Sequence, residues 1–187
     1  MDSKIIELFW YRDERGLQEA KDLYGDYCYR IAYNILNSRQ DAEECENDTF
    51  WTAWNLIPPQ RPGLLRAFLG KIARNLSLKR LRANTAQKRG GGTVPASLEE
   101  LAYCIPEHHS FDERLQAQEL ADIISDFLHS LPETERKVFI CRYWYCDDIK
   151  TIAQSFRFTE SKVKMMLLRT RNKLQDYLVK EGMFYEG

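Results

Sequence analysis

The glycine run at Gly90–Gly92 divides the sequence into two stretches in which apolar residues recur at helical spacing. The segment TVPAS, which also breaks helical patterns, follows at 93–97, and few runs of β-branched residues indicate strands on either side. In 187 residues this pattern predicts an all-α protein made of two small helical domains and a flexible linker. The predicted boundaries are 1–89 for the first domain, 90–111 for the acidic linker and 112–187 for the second domain.

Apolar periodicity and capping residues predict four helices on each side of the linker. Ser130, followed by Pro132 and Glu133, matches a capping box, and Asp148 and Thr159 are suited to cap the next two helices. Inside the linker, the pattern also allows a short helix near Leu98–Tyr103. The predicted helices span about 3–14, 16–37, 40–56, 64–83, 112–130, 132–145, 148–155 and 159–179.

Several classes of protein are excluded by what the sequence lacks. No run approaches the roughly 18 apolar residues of a membrane span, and Met1–Lys4 does not open a signal peptide, so we expect a cytoplasmic chain without membrane insertion. The chain contains no phosphate-binding loop and no nucleophile paired with a base, so we expect neither catalysis nor a cofactor. Reduced packing cysteines are favoured over a metal site, because the cysteines and histidines lack metal-ligand spacing: Cys28, Cys45, Cys104, Cys141, Cys146, His108, His109 and His129.

Charge is strongly segregated along the chain. Residues 61–89 contain 9 basic and 0 acidic residues, whereas residues 90–131 contain 1 basic and 8 acidic residues. The basic block therefore predicts contact with a polyanion, although a solvated cationic face is the alternative. Helical spacing separates an apolar stripe from a polar face in this block. The stripe is Leu65, Phe68, Leu69, Ile72 and Leu76, and the polar face contains Lys71, Arg74, Asn75 and Arg82.

The segment 148–179 has the spacing of a helix-turn-helix, with a turn at 156–158 and the small residue Ala153 where two helices would cross. On its longer helix, an inward stripe is formed by Val163, Leu167, Thr170 and Leu174. The opposite arc combines cations with apolar side chains, which suits a DNA major groove: Ser161, Lys164, Met165, Leu168, Arg169 and Asn172. The alternative is a solvated basic face on which Met165 and Leu168 pack against a neighbouring helix.

Three stretches together resemble the bacterial sigma factors of the extracytoplasmic-function group, in the sigma-70 family. They are DAEECENDTFWTAW at 41–54, RAFLGKIARNLSLKRLR at 66–82 and LPETERKVFICRYWYCDDIKTIAQSFRFTESKVKMMLLRTRNKL at 131–174. In that family, the first stretch is the core-binding helix and the second recognises the minus-ten promoter element. The third forms the domain that recognises the minus-thirty-five element, so the resemblance covers nearly the whole chain.

The resemblance implies site residues in the first stretch. Asp41, Glu44, Asn47, Asp48 and Phe50 would meet the clamp helices of the largest subunit of core RNA polymerase, where acidic side chains pair with a basic coiled coil. The alternative is that Phe50, Trp51 and Trp54 belong to the core, and we favour it for the two tryptophans.

For the minus-ten element, the resemblance places Asn75 against a base flipped from the melted strand, and the loop at 57–65 at the pocket for that base. The other minus-ten residues are Arg61, Lys71, Arg74, Lys79, Arg80 and Arg82, of which the five from Lys71 onward would hold phosphates. For the duplex minus-thirty-five element, the residues are Ser161, Lys164, Met165, Leu168 and Arg169. Cys146 and Arg157 stand at positions where the family commonly has glycine.

The expected function is therefore that of a transcription initiation factor, which binds core RNA polymerase and directs it to promoters. The acidic linker would thread through the enzyme, and the family implies an anti-sigma partner. Two other classes stay open. One is a helix-turn-helix regulator that acts without polymerase, and the other is a helical anti-sigma or adaptor protein that does not bind DNA.

Overall fold

The computed structural model describes residues 2–87, 95–102, 105 and 113–183, and every regular element in those residues is an α-helix. The chain forms two compact units, one spanning residues 1–94 and the other beginning at Pro95. Each unit has its own buried apolar residues. The prediction of an all-α protein with two small helical domains is confirmed.

The helix bounds agree closely with those that periodicity predicts. The first unit contains α1 (Asp2–Trp10), α2 (Arg15–Leu36), α3 (Arg39–Leu56) and α4 (Leu65–Gln87). The second contains α5 (Ala96–Ala102), α6 (Glu113–Ser130), α7 (Glu133–Tyr143), α8 (Ile149–Phe156) and α9 (Glu160–Lys180). The largest differences are that α1 stops four residues early, before the left-handed Arg12, and that α4 continues to Gln87. None of the helices in the described ranges is long and apolar enough to cross a membrane.

Helix α5 lies inside the predicted linker, near the position where the pattern allowed a short helix. It packs in the second unit, with Ser97 buried and Leu101 against the apolar core. Of the rest of the predicted linker, only residues 95 and 105 are among those described, so the boundaries 1–89, 90–111 and 112–187 stay predictions.

The first unit packs α4 against α2 where the side chain of Tyr27 on α2 lies directly on Gly70 of α4. A Cβ atom on Gly70 would lie 2.4 Å from the hydroxyl oxygen of Tyr27, which is closer than any real contact. Leu65, Leu69 and Ile72 on the same stripe of α4 are buried, as predicted. The opposite arc of α4 therefore faces outward.

Two of the three predicted helix caps are confirmed. The side chain of Asp148 accepts from the backbone N–H of Thr151 at 2.6 Å, and that of Thr159 accepts from Lys162 at 3.2 Å. The predicted cap at Ser130 is wrong. Its hydroxyl donates to the Phe127 carbonyl at 2.7 Å, because Ser130 ends α6, and α7 begins after Pro132 without a side-chain cap.

The helix-turn-helix is formed by α8, α9 and a turn that requires a left-handed residue. Arg157 has φ 55° and ψ 43°, and the N–H of Phe158 reaches back to the Ala153 carbonyl at 2.9 Å. Cys146, the other residue at a common glycine position, also has a positive φ of 54°. Both backbones thus keep a conformation that glycine adopts without strain.

A charged cluster holds α5 to the second unit. Glu100 accepts from Arg142 Nη2 at 2.6 Å, from the Tyr143 hydroxyl at 3.1 Å and from Arg171 Nη1 at 3.2 Å. Arg142 is only 7% exposed and also donates to the Asp147 carbonyl at 3.1 Å. Burial would raise the pKa of Glu100, but the hydrogen bond and charge of Arg142, with smaller effects of Tyr143 and Arg171, lower it overall.

Replacing Glu100 with Gln should lower the free energy of unfolding of the second unit by about 1 to 3 kcal/mol at pH 7, since a buried guanidinium loses its carboxylate. Because the pKa of Glu100 is lowered in the folded protein, its contribution is complete above the unfolded value of about 4.3. The difference between the two proteins should vanish as pH falls through the folded pKa. Denaturant titrations across pH measure it, with the exposed neighbour change Glu99→Gln as the control; a pH-independent difference would contradict the carboxylate's role.

Replacing Arg157 with Gly should stabilise the second unit by about 0.5 to 1 kcal/mol, because glycine adopts the left-handed conformation without the steric cost paid by a side chain. Arg157→Ala is the matched control, since alanine removes the guanidinium but keeps that cost. Thermal unfolding of the three proteins separates the two effects. Equal melting temperatures for the Gly and Ala variants would show that the left-handed backbone carries no strain.

Candidate interaction surfaces

Helix α3 buries one stripe and exposes another. Ala42, Cys45, Thr49, Phe50 and Ala53 are buried. Glu44 and Asp48 are exposed, as is Trp51, whose exposed fraction is 62%. These three residues recur at i, i+4 and i+7, so they form one acidic and aromatic face, which we call the α3 face.

The aromatic residues of α3 differ from the sequence-based assignments. Phe50 is only 4% exposed and belongs to the core, as the alternative interpretation held. Trp51 is exposed, so the preference for placing it in the core is wrong. Its position is rotated away from the buried stripe, and helical spacing from Glu44 and Asp48 is the signal that identifies it. Trp54 is half-buried, and its ring meets that of Phe9 edge-on, with centroids 5.7 Å apart.

Arg80 of α4 pairs with two of the acidic residues of α3. Its Nε lies 2.8 Å from Asp41 Oδ1, and its Nη2 contacts Glu44. The hydrogen bond with Glu44 raises the pKa of Arg80. Sequence reasoning assigned Arg80 to DNA phosphates and the two carboxylates to polymerase, whereas the fold joins all three across the α3–α4 interface.

Asn47 is also engaged with a neighbouring helix. It is exposed on α3, and its Oδ1 accepts from Lys21 Nζ of α2 at 2.9 Å. Lys21 also lies 3.9 Å from Glu46. The amide is thus accessible at the surface but held by a lysine of the same unit.

The outward arc of α4 carries most of the residues assigned to the minus-ten element. Lys71, Asn75, Lys79 and Arg82 are exposed, and Arg74 is half-buried. Within α4, Ser77 is buried, and its hydroxyl donates to the Ala73 carbonyl at 2.7 Å. We call the arc from Lys71 to Arg82 the α4 face. Its cations are suited to hold phosphates, and the amide of Asn75 can both donate and accept.

The 57–65 loop joins α3 to α4 and is anchored at both ends by buried side chains. Ile57 and Leu65 have no exposed surface, whereas Leu64 is 69% exposed. Arg61, which the sequence assigned to DNA, forms an ion pair with Glu7 of α1, and its guanidinium lies 5.3 Å from the ring centroid of Trp10. Both partners lie more than 50 residues from Arg61 in the sequence, so no local pattern predicts them.

The arc of α9 opposite the core is exposed at all the positions assigned to the minus-thirty-five element. Ser161, Lys164 and Arg169 are exposed, and Met165 and Leu168 are 47% and 42% exposed. Met165 and Leu168 are therefore not buried against a neighbouring helix, and the assignment of this arc to DNA stays a prediction. The four residues of the inward stripe are all buried, as predicted. The cations of the arc can donate to guanine acceptors in a major groove, and its apolar side chains can contact thymine methyl groups.

The described cysteines form no disulfide bond, and Cys28, Cys45 and Cys146 are buried. Burial raises the pKa of Cys28 to about 12 and also raises that of Cys45, so both thiols are protonated near neutral pH. No group of three or more potential metal ligands occurs among the residues that the structure describes. Cys104, His108 and His109 lie outside them.

Comparisons with known proteins agree with these two units. Residues 21–87 match the family model for sigma-70 region 2, and residues 121–174 match that for sigma-70 region 4. The first match contains α3, the 57–65 loop and α4, and the second contains the helix-turn-helix. Together the two matched segments cover more than half of the chain.

Two relatives are similar along most of the chain. The ECF RNA polymerase sigma factor SigE of Mycolicibacterium smegmatis is 25% identical over 163 residues, which cover 85% of this chain and 60% of SigE. The ECF RNA polymerase sigma factor SigM of Bacillus subtilis is 20% identical over 159 residues, which cover 85% of this chain and 93% of SigM. The models for regions 2 and 4 match in order, and both relatives are ECF sigma factors that align over 85% of the chain. The chain therefore belongs to the sigma-70 family, in its extracytoplasmic-function group.

Proposed function

We propose that the chain is a sigma factor that binds core RNA polymerase, directs it to promoters and initiates transcription. The observation that carries the proposal is the division of one unit's surface between the acidic, aromatic α3 face and the basic α4 face. A factor that joins an enzyme to melted DNA needs both faces. A regulator that binds only duplex DNA would need neither.

In this proposal the α3 face meets the clamp helices of the largest polymerase subunit. Asp48 supplies negative charge for a basic coiled coil, beside Glu44, which is paired with Arg80. Trp51 supplies a large apolar surface of the kind that dominates binding energy at interfaces. Phe50 supports that face from the core, and Asp41 and Asn47 border it. Trp51 thereby joins the five residues that the sequence assigned to polymerase.

The α4 face and the 57–65 loop hold the melted minus-ten strand. Lys71, Arg74, Lys79 and Arg82 contact phosphates, and Asn75 contacts the edge of a flipped base. The α9 arc enters the major groove of the duplex minus-thirty-five element. The protein catalyses no reaction itself and works in the cytoplasm, and an anti-sigma partner controls it by covering the surfaces that polymerase needs.

Co-purification with core polymerase followed by run-off transcription tests the proposal against the two other classes. A sigma factor binds the core enzyme and confers initiation at specific promoters. A helix-turn-helix regulator binds duplex DNA but not the core enzyme, and an adaptor binds protein without conferring initiation. Failure of the wild-type chain in either step would overturn the proposal.

Replacing Asp48 with Arg should weaken binding to core polymerase about tenfold or more, because it places a like charge against a basic surface. Helical content and melting temperature should stay nearly unchanged, since Asp48 is exposed. A pull-down titration measures the affinity. Glu14→Arg, at an exposed position without a cap bond, controls for the change in net charge. Equal affinities of both variants and the wild type would remove Asp48 from the interface.

Replacing Arg169 with Ala should cost about 1 to 3 kcal/mol in promoter binding and relax specificity at one minus-thirty-five position, if its guanidinium contacts a base edge. Contact with phosphate alone would weaken binding evenly across sequences and reduce the salt dependence. Selection from a promoter library at two salt concentrations distinguishes these outcomes. Lys180→Ala, in the last turn of α9, is the control for loss of one positive charge. No change of either kind would show that Arg169 does not touch DNA.

A further inference from the structure

Helix α1 and the turn that follows it contact the 57–65 loop and its two ends at three points. Of the residues in these contacts, only Arg61 was assigned to DNA or polymerase. The first point lies just before the loop. Arg12 Nη1 donates to the carbonyl of Trp54 in the last turn of α3 at 2.5 Å, and its guanidinium lies 5.3 Å from the centroid of the Trp54 ring. This contact fixes the place where the chain leaves α3.

The second point lies in the middle of the loop. Glu7 of α1 pairs with Arg61, and the Arg61 guanidinium also lies over the ring of Trp10. The Glu7 side chain is 43% exposed and that of Arg61 is 58% exposed, so the pair is at the surface. A surface pair by itself stabilises little, but here it joins a segment without helical structure to a fixed helix.

The third point is the start of α4. Oδ2 of Asp2 accepts from the backbone N–H of Leu65 at 3.1 Å, and Oδ1 accepts from the Tyr24 hydroxyl at 2.5 Å. Leu65 is the first residue of α4, so a carboxylate from a distant helix satisfies one of its unpaired N–H groups and stabilises the positive end of the helix dipole. Burial, together with the hydrogen bond and charge of Asp2, raises the pKa of Tyr24 to about 12, so that hydroxyl stays a donor.

Helix α1 is itself held firmly in the unit. Ile5 and Phe9 are fully buried. A Cβ atom on Gly16 of α2 would lie 2.7 Å from Phe9 Cδ1 and 2.9 Å from Leu8 Cβ, so the side chains of α1 pack directly on the backbone of α2 at this glycine. The contacts between the loop and α1 therefore connect the loop to a rigidly packed helix.

From these contacts we propose that α1 sets the conformation of the 57–65 loop and thereby the base preference at the minus-ten position recognised beside Asn75, with Asp2 and Glu7 as positioning residues. The inference rests on the proposed function of the α4 face. It also changes the role of Arg61, which acts through the loop rather than as a direct contact to the minus-ten DNA.

Transcription with core polymerase from a promoter pool randomised across the minus-ten element tests the proposal. Asp2→Ala and Glu7→Gln should each reduce discrimination at one minus-ten position by roughly 2- to 10-fold, the effect of one lost hydrogen bond. Preference at the other positions should be retained, and affinity for core polymerase should stay within about twofold of the wild type. Asn75→Ala should lose discrimination at the same position.

The control is Glu14→Ala, which removes an exposed carboxylate from the turn before α2 where no side-chain cap bond exists. All variants are compared at a temperature at which melting curves show each to be folded. Unaltered preference in both Asp2→Ala and Glu7→Gln would overturn the proposal, as would a uniform loss at every position accompanied by a lowered melting temperature.

A double-mutant cycle on Glu7 and Arg61 tests the changed role of Arg61. If the two act as one positioning pair, Arg61→Ala and Glu7→Gln should shift the base preference alike, and the double variant should show no further shift. If Arg61→Ala instead weakens transcription from every promoter and reduces its salt dependence, while Glu7→Gln does not, Arg61 holds a phosphate and the pairing role is overturned.

The wild type must itself discriminate minus-ten sequences. Its failure to do so would count against the proposed function, not against the role of α1.

Discussion

The close approach of α4 to α2 at Gly70 is the constraint on which the first unit depends. A Cβ atom at that position would overlap the Tyr27 hydroxyl, so any larger residue would force the Tyr27 ring away from α4, whose apolar stripe at Leu65, Leu69 and Ile72 is buried. The Tyr27 ring also lies beneath the guanidinium of Arg66, 4.7 Å from its centroid. Since one side of α4 is fixed in this way, the direction of its basic face follows from helical geometry alone.

Periodicity and local chemistry predict the helices because their causes lie within a few residues. The caps at Asp148 and Thr159 are of this kind, since each side chain bonds a backbone N–H three residues later. Ser130 has the same local pattern and still fails, because its hydroxyl bonds within the preceding helix instead. A short pattern shows what a side chain is able to do, and the surrounding helices determine which of its bonds forms.

The candidate surfaces are less predictable, because they depend on partners distant in the sequence. Counting 9 basic residues in 61–89 treats each as available to DNA. The fold instead gives Arg61 a carboxylate on α1 and gives Arg80 two carboxylates on α3. Trp51 shows the converse. Tryptophan is usually largely buried, but Trp51 is exposed because it does not lie on the buried stripe of α3. Charge and residue type identify the helices that form an interaction surface, while packing determines which of their residues are accessible on that surface.

The position of α5 affects how the protein can be divided into fragments. The matched region 4 segment begins at residue 121, and α5 ends at Ala102, so a fragment cut at that match would contain Arg142 and Arg171 without Glu100. The buried guanidinium of Arg142 would then keep only the Asp147 carbonyl among the partners described for it. Because such a fragment also begins inside α6, poor solubility or easy proteolysis of it would not by itself indicate an intrinsically unstable helix-turn-helix. A fragment that begins before Pro95 retains α5 and is the appropriate form for studying the second unit alone.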